Sequence, residues 1–337
     1  MPRTRSVLGL DIGTHSVCAV ELTGTAESFS VTGVGWERIP SPDLLEETIL
    51  AVIGNNNLRT RNVVTAVSGR SVIVRYVNMM SMPLDELQQA VRYEADKYIP
   101  YDVDEVQLDC QQLGGVEGGQ VRVLLVAAKN QLIEEHLALL KSVNIVPVMI
   151  DVDLFALSNA FEACNRKGSL ASEGEAVALV DIGASKTSIS IIRGADDCFT
   201  REIYTAGNSM TDAIASRFGE EPADVEMMKV EPGDATAAML DAMTPVLEDV
   251  GNEVRLSFDY YENQFDHPVD KVFMTGGSIL FPGVVEALGN IFELETVRFN
   301  PFEHLDKMAH DDIIMREKAS EMAIALGLAS RIRGMQP

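Results

Sequence analysis

The sequence predicts an α/β chain of two related lobes, with a smaller α+β subdomain inserted in the first. Three observations carry this. A strand, turn and strand around Asp-Ile-Gly occurs twice, 170 positions apart; the stretch between the copies has its own run of strands and helices; and a polar linker separates the halves. The 337 residues, 46% of them hydrophobic, suffice for two domains with a sizeable core.

Ser6–Leu22 alternates about a Gly turn and reads as a hairpin, with Ser28–Trp36 as a third strand. Pro42 to Asn55 has helical spacing, and Val63–Ser68 and Ser71–Met79 read as short strands meeting near Gly69. A helix from Pro83 carries Leu87, Val91, Ala95 and Tyr98 on one face and ends before Pro100. Strands Glu105–Leu113 and Gln120–Ala128, a helix from Gln131 to Val143 and a strand Val146–Val152 complete the insertion. Helix Leu154–Cys164 leads into the linker Asn165–Gly174, and Val177–Ile192 is a second hairpin. Beyond it come a helix Ser209–Phe218, a long helix from Ala235 to Phe265 with a break expected at Pro245, strand Lys271–Thr275, a helix after Pro282 and a final helix Arg316–Ile332. The resulting division is 1–79 for the first lobe, 80–147 for the insertion, 148–172 for a linking helix, 173–311 for the second lobe and 312–337 for a C-terminal helix packed on the first lobe.

No apolar run approaches the roughly 18 to 20 residues of a membrane span, and the run from Ser6 is interrupted at Asp11, so the cytoplasm is the expected location. With 27 Lys and Arg against 51 Asp and Glu, the formal charge of −24 argues against nucleic acid and anionic membrane surfaces. A phosphate bound to such a chain must be held locally, by backbone N–H groups, helix N-termini and a metal ion. Cys18, Cys110, Cys164 and Cys198 are scattered without zinc-ligand spacing and read as small buried hydrophobes in a reducing compartment.

VLGLDIGTHSVCAV from Val7 falls on VALVDIGASKTSIS from Val177, aligning Asp11 and Gly13 with Asp181 and Gly183. Each copy puts an Asp at the end of a buried strand, then Gly, then small or hydroxylic residues. Such a turn can aim N–H groups at phosphate oxygens while the Asp holds a hydrated Mg²⁺. One Asp-x-Gly hairpin reads as structural; two in register point to a nucleotide. A third feature agrees: strand Phe273–Thr275 runs into Gly276, Gly277 and Ser278, where paired glycines let the backbone approach a flat ring.

These motifs resemble the actin, heat-shock chaperone and sugar-kinase superfamily, with its ribonuclease H-like fold, across nearly the whole chain. Within it the chain resembles the PilM family of type IV pilus assembly proteins, related more distantly to FtsA. The residues that carry this are Arg92–Pro100 with Asp109, Glu253–Tyr261, Asn300-Pro301-Phe302 and Ala325–Ala329. The resemblance implies an actin-like fold in which the insertion is subdomain 1C, and ATP with Mg²⁺ bound between the lobes. Phosphates would sit between Gly13, Thr14, His15 and Ser16 on one side and Gly183, Ala184, Ser185 and Lys186 on the other. Asp11 and Asp181 would hold Mg²⁺ through water, Glu253 and Ser257 would face ribose and adenine, and Gly276, Gly277 and Ser278 would floor the base. The family's later Gly-Gly is Gly207-Asn208 here.

Two departures bear on mechanism. Cys18 stands where the family commonly has Lys, and Asp153 stands where chaperone relatives keep a Glu. Asp153 reads as an N-terminal cap or first-turn acid of its helix before it reads as a catalytic acid that orients the attacking nucleophile; Lys186 as a phosphate ligand or a solvated lysine; His15 as a phosphate donor or a turn residue without a role. Weak or no ATPase activity is expected. The resemblance further implies docking of the cytoplasmic N-terminal tail of a PilN-like inner-membrane protein near Glu94, Tyr98, Ile99 and Pro100, with indirect membrane association and contacts to other pilus assembly components. Alternatives are a small-molecule kinase of the same superfamily or an FtsA-like filament-forming adaptor.

Overall fold

The computed structural model describes residues 4–25, 28–116, 118–166, 168–194, 196–305 and 313–333. The chain opens with an antiparallel meander, β1 (Arg5–Ile12), β2 (Ser16–Gly24) and β3 (Phe29–Arg38), followed by helix α1 (Leu45–Asn55) and β4 (Val63–Val67), which runs parallel to β1. It leaves this sheet for β5 (Val72–Met80), α2 (Leu84–Glu94), β6 (Val106–Val116), β7 (Gln120–Lys129) and α3 (Asn130–Ser142). It returns as β8 (Pro147–Val152), giving the sheet order β3-β2-β1-β4-β8.

After α4 (Asp153–Cys164) the same plan is built again. Strands β9 (Ala176–Ile182), β10 (Thr187–Arg193) and β11 (Asp196–Ile203) form the second meander, then come α5 (Gly207–Phe218), α6 (Pro222–Val230), α7 (Thr236–Phe265), β12 (Lys271–Thr275), α8 (Val284–Phe292) and β13 (Glu295–Arg298). The order β11-β10-β9-β12-β13 repeats that of the first sheet, with β9 parallel to β12 as β1 is to β4. Central strands covered on both faces read as continuous apolar runs, and every residue of β9 is buried.

Residues 67–147 form one compact unit and the remaining chain another. The smaller unit has its own core, in which Leu87 and Val91 of α2 meet Val77, Val123 and Leu125 of the antiparallel sheet β5-β7-β6. The sequence puts the strand up to residue 79 in the first lobe; β5 instead pairs along its whole length with β7, from Val72↔Ala128 to Met80↔Gln120. The reason is local: Gly69, at φ +88°, turns the chain out of one sheet and into another rather than closing a hairpin.

Three further expectations change. Helix α7 runs unbroken through Pro245, because one missing backbone bond is outweighed by buried Met243 and Leu247 on either side. The final helix is divided into α9 (Ile313–Glu317), a short 3₁₀ turn at Ala319–Glu321, and α10 (Ala323–Ala329), ending in a further 3₁₀ turn. Helix α6 and strand β13 were not legible, β13 having only four residues.

Helix α10 approaches its neighbours at glycine distances. A Cβ on Gly327 would lie 1.7 Å from the Ala156 carbonyl of α4, and one on Gly9 of β1 would lie 1.9 Å from the Ala325 carbonyl. Residues of α10, α4, β1 and β2 share one core with Phe273 and Phe299 of the second half. Cys18 and Cys164 are buried and Cys110 is half-buried, all as free thiols; the Cys198 side chain lies outside the described ones.

Candidate functional site

The two Asp-Ile-Gly copies fold into the same turn. Gly13 N–H donates to the Ser16 carbonyl at 3.0 Å, and Gly183 N–H to the Lys186 carbonyl at 3.0 Å. Each turn joins the antiparallel strands that carry its aspartate, with Asp11 opposite Cys18 and Asp181 opposite Ser188. The loops meet: Thr14 Oγ1 donates to Ser185 Oγ at 3.2 Å. Both aspartates sit at the carboxyl ends of strands with a parallel neighbour, where open α/β sheets place ligands.

Charge at this meeting point is unbalanced. Burial, followed by the charges of Asp153 and Asp181, pushes Asp11 up to about 7. Burial and Asp153 likewise push Asp181 up to about 7, with Lys186 only partly opposing them. Lys186 is an ion pair partner, bonded to both Asp153 and Glu202, and not the solvated lysine of one reading. Burial alone would lower its pKa, but the two acids raise it. Asp153 is buried at the start of α4, accepts from Leu154 N–H at 2.7 Å, and is raised by burial despite Lys186. An acid so engaged is held, not free to orient water. Cys18 adds no positive charge: burial and Asp11 raise its thiol well above the ordinary value.

Around the second loop the expected residues do come together. Gly207 N–H donates to Gly183 O at 3.0 Å, Asn208 N–H to Ala184 O at 2.7 Å, and Ser278 Oγ to Gly183 O at 2.8 Å. The glycine pair is packed closely on its Cβ side. Gly276, at φ +95°, puts its Cα face against Ile182 O, 2.4 Å from where a Cβ would be, and a Cβ on Gly277 would lie 3.3 Å from the Glu321 carboxylate. The space a side chain would fill is filled by the protein itself, so on that side these glycines pack against and buttress the second loop.

Glu253 and Ser257 stand in a separate cluster on α7. Arg201 of β11 pairs with Glu253 and donates to Ser257 Oγ at 3.4 Å, and Ser257, wholly buried, donates to the Glu253 carbonyl at 3.1 Å. Ser257 is therefore closed off from solvent, and the half-exposed members of the cluster are Arg201 and Glu253. His15 is lowered chiefly by burial and feels Glu226, Arg38, Glu321 and Lys229. Glu226 itself accepts from Thr211 and from Lys229 at 2.8 Å.

In the smaller unit Ile99 is 4% exposed and belongs to that unit's core, which corrects its expected place at a docking surface. Glu94 and Tyr98 are half-buried and joined at 3.5 Å, and Pro100 is exposed. Tyr93, 90% exposed, is the prominent aromatic of this stretch and was not singled out from the sequence.

The residues present fit a metal-bound polyphosphate. Four acids, Asp11, Asp153, Asp181 and Glu202, against Lys186 leave excess negative charge, and Ser188 Oγ, buried opposite Asp181, has no hydrogen-bond partner among the described residues. No three His, Cys, Asp or Glu side chains among the described residues converge as a metal cage. A divalent ion held here would take most of its ligands from water and phosphate, as Mg²⁺ does.

A duplicated five-stranded sheet with a paired Asp-Ile-Gly turn in each half defines an actin-like protein, and the fold is similar to EutJ from Carboxydothermus hydrogenoformans (TM-score 0.57, 14% identity, 98% of this chain and 90% of that one) and MreB 5 of Spiroplasma citri bound to AMPPNP (0.51, 12%, 97% and 95%). Residues 9–333 match the family described as type IV pilus assembly protein PilM, and the chain belongs to that family. It is similar along its length to the "PilM-PilN type IV pilus biogenesis complex", at TM-score 0.85 and 29% identity over 98% of this chain and 99% of that one. No helix among the described residues is long and apolar enough to cross a membrane.

Proposed function

We propose that this chain is a cytoplasmic nucleotide-binding scaffold of the type IV pilus assembly machinery, which binds ATP with Mg²⁺ between its two loops. It docks the N-terminal tail of a PilN-like inner-membrane protein, through which it associates with the membrane and with other pilus assembly components. The observation that carries the reading is the meeting of two turns of the same form at Thr14 and Ser185, with Asp11 half-buried and Asp181 buried behind them. Phosphates enter by replacing the Thr14–Ser185 bond, and Asp11 and Asp181 hold the ion through water. Mg²⁺ supplies the positive charge that one paired lysine does not. Turnover is slow or absent, because Asp153 is bound to Lys186 and to its own helix. For the tail, the complex named above supports a PilN-like partner, with Tyr93, Glu94, Tyr98 and Pro100 as surface candidates. No observation favours a small-molecule kinase or a filament former.

Calorimetry with ATP, with and without Mg²⁺ and then with a synthetic tail of the cognate PilN-like protein, tests this. Binding is expected only with Mg²⁺ and is expected to be lost in Asp11→Ala and Asp181→Ala. Absence of binding by the wild type in Mg²⁺, with both variants as stable as the wild type, sinks the nucleotide reading.

A further inference from the structure

Glu321 lies in the 3₁₀ turn before α10, far in sequence from both loops, yet its side chain is 8% exposed and surrounded by the site. Its Oε2 accepts from the indole N–H of Trp36 at 2.8 Å and from Ser16 Oγ, in the first loop, at 3.5 Å. Its Oε1 pairs with Lys318 at 3.1 Å, and that ammonium stands over the Trp36 ring at 4.3 Å. From the second half, Gly277 comes so near that an added Cβ would lie 3.3 Å from Oε2. The residue before it is tied to the same place: Ser320 O accepts from Gly276 N–H at 2.8 Å, and Ser320 Oγ from Arg298 at 2.7 Å. One carboxylate therefore joins the first loop, the third strand of the first sheet and the glycine pair that buttresses the second loop. Its charge also bears on Asp181, whose pKa it helps to raise.

We infer that Glu321 is a positioning residue for the nucleotide: its carboxylate sets Ser16 of the first loop at a fixed place relative to Gly277, and the Trp36 indole moves with that setting. The inference rests on the nucleotide reading above. A carboxylate that holds a neutral donor, an indole and an ammonium at once has directional demands that an amide does not meet, because an amide side chain offers one acceptor oxygen and cannot pair with Lys318. Three bonds to one buried group also make the junction stiff, so a shift of the first loop on ligand entry must be felt at Trp36.

Trp36 is the only tryptophan in the chain, so its emission reports this junction without engineering. The experiment titrates Mg-ATP into wild type, Glu321→Gln and Ser16→Ala, following heat and Trp36 emission, with the melting temperature of each ligand-free protein as the control for folding. The wild type is expected to bind with a change in emission. Glu321→Gln is expected to bind about tenfold more weakly, the loss of one charge-assisted bond, and to lose the ATP-induced change in emission while still melting cooperatively. Ser16→Ala, which leaves the Trp36 bond in place, is expected to weaken binding less and to uncouple emission from binding. If the wild type binds Mg-ATP and Glu321→Gln binds equally well with the same change in emission, the positioning role is overturned and the nucleotide reading stands. If the wild type does not bind at all, both fall. A Glu321→Gln that only lowers the melting temperature, with affinity and emission response intact, marks a structural contact and also overturns the inference.

Discussion

Buried Asp153 and half-buried Glu202 and Lys186 form a triad beside two aspartates, and its energetics are asymmetric. Removing the lysine leaves two acids without a counter-charge in a largely desolvated place, a loss that commonly costs about 3 to 5 kcal/mol. Lys186→Met is therefore expected to lower stability by about 3 kcal/mol, measured by denaturant unfolding at pH 8, and by less at pH 5.5, where the stranded acids take up protons. Asp181 gives a second test in metal-free buffer. Its folded pKa of about 7 lies above the ordinary 3.8, so between those values the folded chain holds a proton that the unfolded chain has lost. The sign follows: the stability this group contributes is full below about pH 4 and is lost as pH rises through about 7. Asp181→Asn is expected to melt higher than the wild type at pH 8 and to close that gap toward pH 4, with scanning calorimetry as the measurement; a gap independent of pH contradicts it. The sequence made Asp11, Asp181 and Lys186 visible because they repeat or sit inside the repeat. Glu202, Trp36 and Glu321 were not, since nothing local marks an acid whose partner lies 16 or 285 residues away.

Elements follow the same division between local and distant causes. Turn glycines, strand alternation and the proline after α2 give the order of strands and helices, and strand β12 falls on the residues expected, Lys271–Thr275. Which sheet a strand joins is a tertiary matter, and so β5 was placed in the wrong unit. The small residues of α10 are legible as a motif, but their reason is contact. Gly327→Ala puts a Cβ against the backbone of α4, which cannot swing aside as a side chain would. A loss of at least about 3 kcal/mol is expected, at the upper end of ordinary overpacking. Gly54, near the end of α1, has nothing within 4 Å of an added Cβ. Gly54→Ala is expected to stabilise by about 0.5 to 1 kcal/mol through helix propensity and the unfolded chain. Urea midpoints of the two variants check both signs, and equal effects would show that local propensity, not contact, governs these glycines.

At the scale of the whole molecule, the smaller unit is an insertion into a complete plan. The sheet β3-β2-β1-β4-β8 has the order of its uninterrupted counterpart, and β4 and β8, the strands that flank residues 67–147, are neighbours in it. Both aspartates, both loops, Asp153, Lys186 and Glu321 belong to the larger unit, while Tyr93, Glu94, Tyr98 and Pro100 belong to the smaller one. The proposed functions are thus divided between separate cores. Replacing residues 69–146 by a flexible linker of about 12 Gly and Ser residues, whose mean span is about 17 to 21 Å, is long enough to join neighbouring strands whichever way they run. The larger unit is expected to fold, to keep its affinity for Mg-ATP within about threefold, and to lose all binding of the PilN-like tail. Circular dichroism establishes the fold, and calorimetry with each ligand reads the two activities. A folded deletion variant that no longer binds Mg-ATP would show that the nucleotide site depends on the insertion. Retained tail binding would instead move the docking surface onto the larger unit, where the edge strands β3 and β8 become the strands to substitute next.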